Sequence, residues 1–350
     1  MKIKIEDLKL LENLCRVDGI SGFEDNVREV MVSELKKSCE TVEVDSFGNV
    51  TGKKGKGKLK IMLAAHMDEI GLMVKHINKE GYLSFVKIGG IDDRILLGKE
   101  VIIKSRSGDV YGVIGAKPPH LQEKEEMEKI VKSEEMFIDI GAKNEKEAKK
   151  RVSVGDPIVF SALFGRMSDE LFYGKAVDDR LGCYVLLKVM EKIPKNIEAE
   201  VYAVGTTQEE VGLKGARVSA FKINPNYAFA IDTTLAGDTP QIKETESSLK
   251  LGKGPSITIT ESCGRGVITH PKLRALLERI AKKYRIPYQE DLLEGGMTDG
   301  AIIYLTREGI PTGVVSIPCR YIHSSTGVFN IKDVNNAIEL LTKTILEFKI

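Results

Sequence analysis

The sequence predicts an α/β fold: a mostly parallel sheet covered by helices on both faces, with a small β domain inserted into it. Three observations predict it. After Gly174, apolar runs alternate with helical patterns, as strands and covering helices of a parallel sheet do. Ile61-Met62-Leu63-Ala64-Ala65 has no polar alternation, which marks a strand buried on both faces. Between about Lys75 and Phe164 the texture shifts to short β-like segments separated by Gly, Pro and charged turns. A chain of 350 residues exceeds the usual single core, so residues 1–74 and 165–350 are expected to form the larger domain and 75–164 the insert.

Taken in order, Leu8, Leu11, Leu14 and Cys15 recur at helical spacing, and a second helical stretch runs from Val27 to Leu35. The strand at 61–65 leads into His66-Met67-Asp68-Glu69-Ile70-Gly71. Within the insert, 101–103, 110–114, 137–140 and 158–160 read as strands. Pro118 to Glu135 is a highly charged stretch, readable as a mobile excursion, a contact loop or a solvated helix. Beyond the insert, helices are expected at 179–193, 271–284 and 333–348, and strands at 199–205, 227–232, 256–260 and 310–317. In such a sheet, ligand sites belong at the carboxyl ends of the strands.

Acids and histidines collect where the apolar runs end. Glu209 and Glu210 follow Val201-Tyr202-Ala203-Val204, His66 and Asp68 follow the first strand, Asp232 ends another, and His323 follows Val314-Val315-Ser316-Ile317. Asp178 opens a helix beside Asp179. Taken singly, each has a plain structural reading: a satisfied buried histidine at His66, a solvated turn at Glu209-Glu210, an N-cap pair at Asp178-Asp179, a turn initiator at Asp232. Two imidazoles and three carboxylates drawn from these residues are a ligand set suited to zinc or cobalt. Adjacent strand residues face opposite ways, so Glu209 and Glu210 are expected to divide the work, one holding metal and the other handling a proton. Asp68, two residues from His66, is placed to hold that ligand's other ring nitrogen.

Five segments carry a resemblance: 66–71, 176–182, 208–212, 230–232 and Arg320-Tyr321-Ile322-His323-Ser324. Together they resemble the tetrahedral aminopeptidases, of the glutamyl and deblocking type, which are co-catalytic two-metal exopeptidases. The resemblance implies a zinc-exopeptidase-like fold with an inserted β-barrel, and two divalent ions per subunit, Zn2+ or Co2+. It implies that His66 and Asp232 hold one ion, Glu210 and His323 the other, and Asp178 bridges them. Glu209 would be the general base, Asp68 would orient His66, and the Asp178-Asp179 peptide would be cis. Cys319 stands where a hydroxyl residue is expected, at a position that is not a ligand. The resemblance further implies short or unfolded peptides as substrates, and dimers joined through the insert that build a hollow homododecamer. The side-chain pocket would draw on 295–300 and the stretch before His323.

Composition narrows the alternatives. Lys and Arg (52) nearly balance Asp and Glu (51), which argues against a broad nucleic-acid-binding face. Five cysteines without CxxC spacing suit a reducing cytoplasm, and neither a signal-peptide pattern nor a membrane-length apolar run is present, so no membrane partner is expected. Gly52 to Lys58 approaches a phosphate loop, but Leu59 replaces the required Ser or Thr. No nucleophile elbow surrounds Ser324 or Ser325. Three other readings stay open: a metal-dependent amidase or deacylase on N-acylated amino acids, a glycosidase resting on the carboxylates alone, and a non-catalytic scaffold of the same fold.

Overall fold

The computed structural model describes residues 5–161 and 164–348. Four strands at the centre of one large sheet run parallel: Glu200–Thr206, Lys60–His66, Tyr227–Leu235 and Thr312–Arg320, in that order across the sheet. Antiparallel neighbours flank them, Val50–Lys54 and Thr41–Val44 on one side, Gly327–Asn330 and Leu171–Gly174 on the other. Ser256–Thr260 also joins Thr312–Arg320 and pairs with Gln289–Leu292.

The unbroken apolar run at 61–65 follows from helices on both faces. Ile61, Leu63 and Ala65 pack with residues of the helices Ile5–Arg16, Asp25–Ser38, Val177–Lys192, Pro271–Tyr284 and Ile331–Leu346. Met62 and Ala64 point the other way, into a smaller core with Ala216, Ala220 and Ile223 of Lys214–Ile223 and Ile303 of Gly300–Ile303. Period-two alternation therefore feeds two cores instead of one core and solvent.

The insert closes into a six-stranded barrel of Gly71–Ile77, Leu83–Ile88, Phe137–Asp139, Gly108–Gly115, Glu100–Ser105 and Pro157–Phe160. Its own core holds Leu72, Val74, Leu83, Val101, Ile103, Val110, Ile114 and Ile138. The sequence boundary at 75 falls inside the first barrel strand, because Gly71 continues straight from the ligand-bearing turn into the barrel; the boundary at 164 adjoins residues outside the described ones. The charged stretch from 118 to 135 is a string of single helical turns, with Leu121, Met127 and Ile130 exposed. No helix among the described residues is long and apolar enough to cross a membrane.

A buried ion-pair chain lies at the base of the barrel. Glu69, just before the first barrel strand, accepts from Lys175 Nζ at 2.6 and 2.9 Å, and both side chains are almost fully enclosed. Arg180, fully buried, approaches Glu69 at 3.5 Å and donates to the carbonyls of Leu14, Val17 and Met67. Asp18 links Lys175, at 3.2 Å, to Lys104 on the barrel, at 3.0 Å. Breaking such a pair strands a buried charge. Glu69→Gln, which keeps shape and loses charge, is expected to lower unfolding free energy by roughly 3–5 kcal/mol in denaturant titrations.

Candidate metal centre

The register of the parallel strands assembles the site. Thr206 pairs with His66, so the turn carrying Glu209 and Glu210 emerges beside that histidine. Ala230 pairs with Ala64, and two residues further along each strand stand Asp232 and His66, level with one another. Asp178 arrives from the helix Val177–Lys192, through a cis peptide to Asp179, and His323 from the bend after Thr312–Arg320. All seven residues singled out in the sequence lie in this one region.

Asp178 sits between the two histidines with one oxygen toward each. Its Oδ1 lies 3.2 Å from His66 Nε2 and its Oδ2 3.5 Å from His323 Nε2. Around His66 Nε2 stand Asp232 Oδ1 at 3.8 Å and Glu209 Oε2 at 4.0 Å. Around His323 Nε2 stands Glu210 Oε2 at 3.8 Å. His66, Asp178 and Glu210 form one group whose ligand atoms all fall within 4.8 Å of one another, and His66, Asp179 and Asp232 form a second. Glu209 and His323 belong to neither.

The electrostatics show a cluster short of positive charge. Burial, reinforced by neighbouring acids, pushes the carboxyls of Glu209, Asp232 and Asp179 well above the usual range, and Glu210 to about 7. Burial acts on Asp178 in the same direction, but the His66 hydrogen bond and charge outweigh it and hold that carboxyl low. Carboxylates this crowded and dry call for cations, and a mixed nitrogen and oxygen donor set fits borderline-soft divalent ions. The residues present therefore fit divalent metal.

Asp68 braces more than the His66 ring. His66 Nδ1 lies 3.1 Å from the Asp68 carbonyl and 3.5 Å from its carboxylate. That carboxylate accepts from Ser21 Oγ at 2.6 Å and from the backbone N–H groups of Glu209 and Glu210 at 2.9 and 3.2 Å. One buried acid thus fixes the first histidine and the turn bearing both glutamates. Asp179 is a further acid of the site; its oxygens accept from His66 N and Gly182 N. Adjacency to Asp178 was its one sequence signal, shared with any N-cap pair. Within 295–300, Thr298 and Asp299 are buried: Thr298 donates to Glu261 and Asp299 accepts from Thr206 Oγ1, while Met297 is exposed.

Glu261 gives this region a pH signature. It is fully buried, accepting from Thr298 Oγ1 at 2.6 Å and Val267 N at 3.3 Å, yet burial pushes its carboxyl up to about 7. The folded state then holds this proton more tightly than the unfolded chain. Its contribution is greatest below the ordinary carboxylate pKa and is lost as pH rises through about 7. Glu261→Gln is expected to flatten the stability profile across that window by on the order of 3 kcal/mol, read from denaturation midpoints at successive pH values.

A carboxylate between two histidines, at the strand ends of a helix-covered sheet, marks a candidate metal centre. The chain matches the model of the M42 glutamyl aminopeptidase family over residues 48–340. It is 42% identical over 337 residues to a putative aminopeptidase of Acetivibrio thermocellus, covering 96% of this chain and 97% of that one. Among solved structures, the TET aminopeptidase of a marine sediment thaumarchaeon superposes with a TM-score of 0.95 at 38% identity, covering 99% and 97% of the two chains. The TET1 peptidase of Pyrococcus horikoshii, described as able to assemble into a tetrahedron or a large octahedral shell, superposes at 0.87 with 34% identity over 98% and 100%. The chain belongs to the M42 family and is a metallo-aminopeptidase, a hydrolase of peptide bonds.

Proposed function

We propose that the enzyme removes residues one at a time from the free N-termini of short or unfolded peptides in the cytoplasm, using two zinc or cobalt ions. His66 and Asp232 would hold one ion, Glu210 and His323 the other, and Asp178 both. The observation that carries this reading is Asp178, with one oxygen facing each histidine. When bound, such an ion pair polarises the scissile carbonyl and makes a water easier to deprotonate. Glu209 takes that proton and returns it to the leaving amine, a task suited to a carboxyl raised by burial. Asp68 and Ser21 keep the Glu209 backbone in place throughout.

The barrel is proposed as the dimer contact, from which a hollow homododecamer is built. Its strand Gly108–Gly115 turns Val110 and Ile114 inward and leaves Tyr111 and Val113 exposed, an apolar outer surface. The test is a panel of chromogenic aminoacyl and N-acylated substrates, with chelator and then with zinc or cobalt restored, alongside light scattering. Turnover confined to free amines, lost on chelation and recovered with metal, is expected, with a mass about twelve times the 38.7 kDa of one chain. Turnover of the acylated set would shift the reading to an amidase or deacylase. Monomers alone would overturn the assembly.

A further inference from the structure

The two histidines are held by different domains. His66 is buried, and its ring is fixed by Asp68 of the larger domain. His323 sits on a bend with its side chain 43% exposed and its backbone in the left-handed region, φ 55°. Its Nδ1 lies 2.8 Å from the carbonyl of Gly90, which belongs to the barrel insert. A carbonyl only accepts, so this contact puts the proton on Nδ1 and turns the Nε2 lone pair toward Asp178 and Glu210. The approach is close enough that a Cβ on Gly90 would stand 2.9 Å from His323 Nδ1, and one on Gly89 3.3 Å from Glu210 Oε2. The loop is itself tied down inside the insert, where Lys87 Nζ donates to the Ile91 carbonyl at 3.0 Å and to Asp93 at 2.8 Å.

We infer that the Gly89-Gly90 loop of the barrel is a positioning element of the second metal site, so that the insert sets the affinity for the second ion while the first is bound by the larger domain alone. This rests on the ligand assignment proposed above. Anything that shifts the barrel against the sheet moves the Gly90 carbonyl, and with it His323, and leaves the Asp68–His66 contact where it is.

The test is calorimetric titration of the metal-stripped full-length protein with zinc alone. Gly90→Ala is expected to bind the first ion as wild type does and the second about 10–100-fold more weakly, the range for losing a histidine's supporting partner. Lys87→Met, which frees the loop and touches no ligand, is expected to weaken the second ion in the same sense. It also carries the test should Gly90→Ala not fold. Glu210→Gln serves as the reference. If it loses the second ion while both loop variants bind both ions like wild type, the ligand assignment stands and the role of the insert is overturned. If Glu210→Gln keeps both ions at wild-type affinity, the ligand assignment itself fails and the inference with it. Equal weakening of both ions in a folded loop variant would also overturn it.

Discussion

Glu209→Gln is expected to keep its full complement of metal and to lose turnover by roughly 10²–10⁴-fold, the usual worth of a positioned general base. Glutamine preserves the volume at a site where Glu209 is nearly enclosed, and preserves the backbone N–H that anchors the turn on Asp68. It removes the ability to take a proton. Glu209 Oε2 lies 4.0 Å from His66 Nε2, and the ligand assignment proposed above gives Glu209 no ion to hold, so no ligand would be lost. Emission spectrometry on dialysed protein and kcat/KM on one chromogenic substrate read the two halves of the expectation. Glu210→Gln should show the reverse order, with metal lost first. Equal metal loss in the two variants would contradict the division of labour.

Asp178→Asn is expected to strip both ions together. One amide cannot present an anionic oxygen to each of two histidines 3.2 and 3.5 Å away, and its nitrogen must face one of them. The loss should exceed the 10–100-fold that a supporting partner is worth, because in the proposed assignment Asp178 itself holds both ions. Turnover should then fall to background and stay there when zinc or cobalt is added at concentrations that restore the wild type. Metal content after dialysis decides the matter. A variant that still holds one ion tightly would mean that Asp178 serves a single site.

The sequence made the strand ends legible because a buried sheet has a plain signature: unbroken apolar runs, each stopping at a polar residue. His66, Asp68, Asp178, Glu209, Glu210, Asp232 and His323 were all found at such stops or at a helix start. The supports were not legible. Ser21 reaches Asp68 across 47 residues and Gly90 reaches His323 across 233, and neither pairing leaves a local pattern. Counting along a strand reads Asp68 beside His66, but the strand stops at His66 and Asp68 lies in the irregular segment beyond it, where its carbonyl still meets the His66 ring. Its hold on the backbone of Glu209 and Glu210 depends on the lateral pairing of His66 with Thr206, which only the assembled sheet provides.

The ion-pair chain beneath the barrel bears on how the molecule comes apart. Glu69 and Lys175 stand close to the two ends of the insert, and Arg180 ties the same carboxylate to carbonyls of the first helix and the loop after it. Two separate apolar cores would by themselves favour two melting steps. Pulling the barrel away from the sheet would part Lys104 from Asp18, the link of this chain that crosses between the domains, while Glu69, Lys175 and Arg180 stay together in the larger one. A partly exposed pair is a weak tie, so heat is expected to melt the barrel and the sheet in separate calorimetric steps.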